Sequence, residues 1–226
     1  MQLSFSFSTN KDIYDVRNFI VHNGNRSIFD FITSSFLLNN NIYLLTGSKS
    51  SGKTYICTIW NRLKKAEFLD KNIFIKEEKD FLQEIKNKIK DSGKYILEDI
   101  ENINIKEKYL LYLINIVIEN NAILLITSKK YLDEFYFNIP DLESRFKNIY
   151  NFVLLDIDSS SKEQILLKLL TDKQINIDFR VLNYISEKIS NNYEEIIHFI
   201  HKLDQEIQTN KIKKITISTV NKIIHQ

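Results

Sequence analysis

Residues 42–54, IYLLTGSKSSGKT, constrain this chain more than any other stretch. A short run of β-prone apolar residues enters a segment of the form G-x-x-x-x-G-K-[ST], from Gly47 to Thr54, and a helix-period stretch leaves it. A strand–turn–helix unit fits that order, with glycine where the backbone has to curl. Curling turns the N–H groups of Gly47, Ser48, Lys49, Ser50, Ser51 and Gly52 toward one point, and the helix start from Lys53 through Tyr55 adds positive character. Such a cradle suits phosphate oxygens. Lys53 is expected at the β and γ phosphates of ATP or ADP, and the Thr54 hydroxyl on Mg²⁺. The competing interpretation is a chance Gly-Lys-Thr turn. It has to explain why two of only four glycines in the chain fall at this spacing behind a strand.

Composition narrows the remaining classes. With 226 residues and 43% hydrophobic content the chain can build one compact domain or two small ones. A net charge of +2, from 31 basic and 29 acidic residues, excludes a polyanion-coating protein. The lone Cys57 excludes a disulfide framework or a thiolate zinc cluster. A single proline and few glycines exclude a turn-rich all-β fold. The N-terminus lacks a basic n-region and a small-residue cleavage site. The longest apolar run, residues 109–118, is about half the ~20 residues of a membrane span and is interrupted by Asn115. A cytoplasmic protein with no membrane partner is expected.

Short apolar runs alternate with longer charged stretches of helical period. Strands are expected at 42–46, 73–75, 95–98, 122–127 and 152–155, with helices near 53–68, 78–90 and 106–119. This alternation predicts an α/β fold, a P-loop sandwich with a mostly parallel sheet. From Ser159 onward helical signals alone remain. Ser159 or Ser160, Asp178, and Asn191 or Asn192 are candidate caps for three helices, and a last short helix follows Ser218. The expected division is a terminal peptide at 1–10, a nucleotide-binding α/β domain at 11–158 and a helical lid at 159–226.

A phosphate loop needs a carboxylate on a neighbouring strand to hold the metal. The run Lys94-Tyr95-Ile96-Leu97-Glu98-Asp99 ends in two. One acid is expected to hold Mg²⁺ and the next to polarise the attacking water. The order Glu98-Asp99 is unusual for such a site, so hydrolysis by the chain itself is less secure than binding.

Several segments resemble the bacterial replication initiator family, DnaA, whose ATPase domain is of the AAA+ class. Tyr14-Asp15-Val16-Arg17-Asn18-Phe19-Ile20-Val21 with Asn25 is similar to the family's lead-in segment. Glu98-Asp99-Ile100-Glu101 resembles its Asp-Asp-Ile-Gln, and Leu124-Leu125-Ile126-Thr127-Ser128 its sensor 1 strand. Ile139-Pro140-Asp141-Leu142-Glu143-Ser144-Arg145-Phe146 resembles the Leu-Pro-Asp-Leu-x-Ser-Arg box. The resemblance implies that Arg145 is an arginine finger facing a neighbour's nucleotide. A surface ion pair with Asp141 or Glu143 is the simpler alternative. It also implies that Ser128 orients water or the γ-phosphate, although a strand-end turn explains it nearly as well. The lid departs from the family: Tyr193 stands where sensor 2 has arginine, which implies weak ATP sensing and slow turnover.

Gln2-Leu3-Ser4-Phe5-Ser6-Phe7 resembles the peptide by which bacterial proteins dock on the DNA polymerase sliding clamp, with Phe5 replacing leucine. Leu3, Phe5 and Phe7 alternate, so an extended segment puts them on one side with Gln2 at the edge. The same alternation describes a strand on the protein's own sheet. The resemblance implies a chain expected to reach the end of the family's lid without its DNA reader. This layout is similar to the Hda-like branch of the family. It implies binding to the clamp and to DnaA, stimulation of the initiator's ATP hydrolysis, a capacity to form homo-oligomers and no sequence-specific DNA binding. A self-contained AAA+ ATPase that loads or remodels a replication protein is the alternative.

His198 and His201, three apart, read as a solvated helix face rather than metal ligands. Tyr131, Phe135, Tyr136 and Phe137 form an aromatic cluster open between packing and partner contact.

Overall fold

The computed structural model describes residues 16, 19–34, 40–103, 105–212 and 214–224, and the peptide from Gln2 to Phe7 lies outside them. Five strands, β1 (Ile42–Gly47), β2 (Glu67–Phe68), β3 (Lys94–Leu97), β4 (Ile123–Ser128) and β5 (Tyr150–Leu154), form a sheet of order β2-β3-β4-β1-β5. Each pairing is parallel. All six residues of β1 are buried, which is why IYLLTG reads as a continuous apolar run rather than an alternating one. The helices of this unit are α1 (Arg26–Thr33), α2 (Lys53–Lys64), α3 (Glu78–Lys88), α4 (Glu107–Glu119) and α5 (Pro140–Lys147). α1 packs on α2, whereas α4 packs with both α3 and α5. Right-handed crossovers put these two groups on opposite faces of the sheet.

One expected strand is not a strand. Residues Lys71–Ile75 form a 3-10 turn, set by Asp70, whose carboxylate accepts the Asn72 N–H at 2.9 Å. The apolar signal of Ile73 and Phe74 came from burial in the core, not from a β-ladder. The second strand is instead Glu67–Phe68, two residues paired to Tyr95 and Ile96. α2 correspondingly stops at Lys64, because Lys65 takes a left-handed conformation (φ 56°) and redirects the chain.

Residues Asn23–Asp156 make up one compact unit, and the described residues up to His22 belong with those from Ile157 onward in another. The second unit holds α6 (Ser159–Asp172), α7 (Phe179–Lys188), α8 (Tyr193–Asn210) and α9 (Ile217–Ile224). Asp158, not Ser159 or Ser160, caps α6, accepting the Ser161 N–H at 2.8 Å. A carboxylate one residue earlier is the stronger acceptor for the orphan N–H groups. Asp178 and Asn192 cap α7 and α8. The buried Lys162 of α6 donates to the Ile189 carbonyl at 3.0 Å, closing the C-terminal end of α7. Among the described residues no helix is long and apolar enough to cross a membrane.

Candidate functional site

The phosphate loop leaves the carboxyl end of the central strand β1. Gly47 is required by close approach: a Cβ there would stand 2.9 Å from both the Cβ and the carbonyl oxygen of Leu154 on β5. Gly52 is required by conformation, at φ +100°, and Ser50 is also left-handed at 62°. The Ser48 hydroxyl donates to Asp156 Oδ1 at 2.6 Å, tying the loop to the end of β5. α2 starts at Lys53 with no side-chain cap on its first turn. Its leading N–H groups and macrodipole therefore face the loop, where an anion is favoured. Lys53 is 6% exposed, and its ammonium donates to the carbonyls of Gly47 and Ser48, both at 2.7 Å. Lys49 and Thr54 are exposed, while the Tyr55 side chain is buried, so Tyr55 offers this site its backbone alone.

The acidic end of β3 meets this loop. The Thr54 hydroxyl hydrogen-bonds the Glu98 carboxylate, and burial holds that carboxyl above the usual range against the pull of this bond. Glu98 Oε1 is buried with no hydrogen-bond partner. An orphaned carboxylate oxygen beside a hydroxyl is a hard-oxygen donor set that suits Mg²⁺, so Thr54 and Glu98 fit the metal. Asp99 adopts φ 50°, which swings its side chain out of the strand path. Lys71 lies 3.5 Å from its Oδ2.

The carboxyl end of β4 holds a residue that sequence reasoning passed over. Ser128 is buried, and its Oγ accepts the Lys130 N–H at 2.9 Å in a strand-end turn, leaving its own O–H to donate. One residue earlier, the buried Thr127 Oγ1 accepts the Asp99 N–H at 2.9 Å. Thr127 thus joins the ends of β3 and β4. The sequence signal was a second hydroxyl on the same strand end, with nothing local to say which one faced Asp99.

Arg145 is at the other end of the sheet. It lines a cavity of about 300 Å³ together with Asn40, Asn41 and Ile42, at the amino end of β1. The phosphate loop departs from the carboxyl end, about 20 Å away for a six-residue strand. Arg145 Nε donates to Asp141 Oδ1 at 3.0 Å, so the surface ion pair named as the alternative does form. It uses Nε only, and both terminal amino groups stay available for a bidentate anion contact.

The aromatic cluster divides. Phe135 and Phe137 pack on Phe146 with ring centroids 5.4 and 4.6 Å away, while Tyr136 is 83% exposed. In the helical unit, Tyr193 is 4% exposed and its hydroxyl bonds the Ile20 backbone, with the Phe19 ring 6.1 Å away. Burial pushes its hydroxyl up to about 12. His198 and His201 are exposed, and no group of three potential metal ligands occurs among the described residues.

Comparison with known proteins agrees with this architecture. DnaA from Borreliella burgdorferi is 24% identical over 234 residues, covering 96% of this chain and 48% of the relative. Domain III of Thermotoga maritima DnaA superposes with a TM-score of 0.72 at 16% identity, covering 94% of this chain and 96% of that one. The chain carries a DnaA-like AAA+ fold. AMPPCP-bound DnaA from Aquifex aeolicus gives a TM-score of 0.69 at 19% identity, covering 88% of this chain and 68% of its own. The chain spans about half the length of the curated relatives it matches. No protein-family model matches it.

Proposed function

We propose that this chain is an Hda-like, nucleotide-binding regulator in the cytoplasm. It docks on the DNA sliding clamp and stimulates ATP hydrolysis by the replication initiator DnaA, limiting re-initiation of replication. The placement of Arg145 carries this proposal. Sitting at the amino end of β1, it is too far from its own phosphate loop to act there. Its free terminal amino groups suit the γ-phosphate held by a partner. A guanidinium supplied in trans stabilises charge developing on the transferred phosphoryl group and is worth roughly 10³ to 10⁵ in rate.

In this proposal the loop Gly47 to Tyr55 binds ATP or ADP, as AMPPCP is bound in the Aquifex aeolicus initiator. Mg²⁺, when bound, would neutralise phosphate charge, and Thr54 and Glu98 would hold it. Asp99 orients water and Ser128 assists it. Tyr193 has a neutral hydroxyl engaged by the Ile20 backbone, so it brings no positive charge to a nucleotide. That supports weak turnover by the chain itself and a role centred on its partner's nucleotide. Gln2, Leu3, Phe5 and Phe7 form the clamp-docking peptide of a layout divided at residues 10 and 158. No sequence-specific DNA contact is assigned to it.

A clamp pull-down comparing the intact chain with one lacking residues 2–7 tests the docking half. Loss of capture is expected, and equal capture overturns it. The meeting of Thr54 with Glu98 favours a second interpretation, a homo-oligomeric AAA+ ATPase that loads or remodels a replication protein. Robust ATP turnover by the purified chain, lost in Lys53→Ala, would establish that instead.

A further inference from the structure

We infer that Glu107 is a positioning residue for Arg145. The inference rests on the proposal that Arg145 acts on a partner's nucleotide. α5, which carries Arg145, starts at Pro140 with no side-chain cap of its own. The cap is supplied from another helix. Glu107, in the first turn of α4, accepts the Asn138 N–H at 2.9 Å and the Ile139 N–H at 2.9 Å through Oε2. Its Oε1 accepts the Asn138 N–H at 3.0 Å and the Asn138 Nδ2 at 2.9 Å.

These bonds, that to the Asn138 backbone first, hold the Glu107 carboxyl below the usual range. A carboxylate that binds the N–H of the residue capping a helix fixes where that helix begins and in which direction it runs. Asp141, one residue past Pro140, then holds Arg145 Nε. The chain of contacts runs from α4, through Glu107 to Ile139, and through Asp141 to the guanidinium. A second tether acts in the same sense: Glu143 Oε2 accepts the Phe137 N–H at 3.0 Å. The Arg145 side chain is thereby presented from a frame fixed before any partner arrives, which lowers the ordering cost of an anion contact.

The test uses the full chain in two assays. The first is the NMR signal of the Arg145 Nε–H, together with hydrogen exchange at the Asn138 and Ile139 amides. The second is stimulated ATP hydrolysis by DnaA on clamp-loaded DNA, resolved into its maximal rate and its half-saturating concentration. In Glu107→Ala the Arg145 Nε–H should lose its dispersed, slowly exchanging signal, and both amides should exchange at least tenfold faster. The maximal stimulated rate should fall at least tenfold with the half-saturating concentration unchanged. Glu107→Gln keeps one acceptor oxygen and should recover to within about threefold. If Glu107→Ala does not fold, Glu107→Ser makes the same truncation with a polar first-turn residue.

An unchanged Arg145 Nε–H signal in the truncated variant overturns the inference. So does an unchanged maximal rate where Arg145→Ala abolishes stimulation. A changed Nε–H signal combined with full stimulation by Arg145→Ala is a different result. It would leave the hold of Glu107 on Arg145 standing and remove the proposed function.

Discussion

The Thr127 hydroxyl and the Asp99 N–H, 2.9 Å apart, join the carboxyl ends of β4 and β3. Asp99 lies past Leu97, the last residue of β3, and its N–H finds its acceptor in a buried side chain. Thr127→Val keeps the shape and removes the acceptor. Stability should fall by about 1–3 kcal/mol, the cost of leaving such a donor unsatisfied. Thr127→Ser should recover most of it. Urea unfolding measures both, and an unchanged midpoint for the valine variant would contradict the assignment.

The Tyr193 hydroxyl titrates near 12 rather than 10 because it is buried. The unfolded chain therefore loses this proton first as pH rises. Between about pH 10 and 12 the folded state binds more protons than the unfolded one, so stability falls with rising pH. The contribution is fully present below pH 10 and amounts to roughly 2–3 kcal/mol. Tyr193→Phe should flatten the alkaline loss of stability, seen as a smaller difference between unfolding midpoints at pH 9 and pH 11.

Lys53 is held by the carbonyl oxygens of its own loop. ATP or ADP at a hundredfold excess over Kd should stabilise the wild-type chain by about 2.7 kcal/mol. For a chain of this size that is roughly 5–11 °C in Tm. Lys53→Ala leaves the Gly47 and Ser48 carbonyls without this donor, so it should melt lower than wild type without nucleotide and should lose the nucleotide-induced shift. A retained shift would place the nucleotide elsewhere.

Lys162 illustrates a buried cation committed to structure. Its ammonium donates to the Ile189 carbonyl, the C-cap of α7. Lys162→Ala should destabilise the helical unit by about 1–3 kcal/mol through the unsatisfied carbonyl. Chemical denaturation should detect this without any change in nucleotide affinity.

The elements that could be read from sequence are those whose signal is local. The phosphate loop is one, since its glycines, lysine and hydroxyl are consecutive and the strand before it is uniformly apolar. The caps at Asp178 and Asn192 are others. What escaped depends on contacts between distant segments. Ile73 and Phe74 look like a strand because burial in a 3-10 turn selects the same residues. Glu67–Phe68 is too short to leave a pattern. Choosing Thr127 over Ser128 required its contact with Asp99, 28 residues away in the chain. Glu107 reads as an ordinary first-turn acid, and its partners lie 31 and 32 residues away.

The central claim is that Arg145 serves a nucleotide held by another subunit. Single-turnover hydrolysis of ATP preloaded on DnaA, with clamp-loaded chain added in excess, tests it most directly. Arg145→Ala should cut the stimulated rate at least 10³-fold, near the lower bound for an arginine finger, while its own nucleotide-induced Tm shift stays unchanged. Full stimulation by Arg145→Ala would contradict the claim.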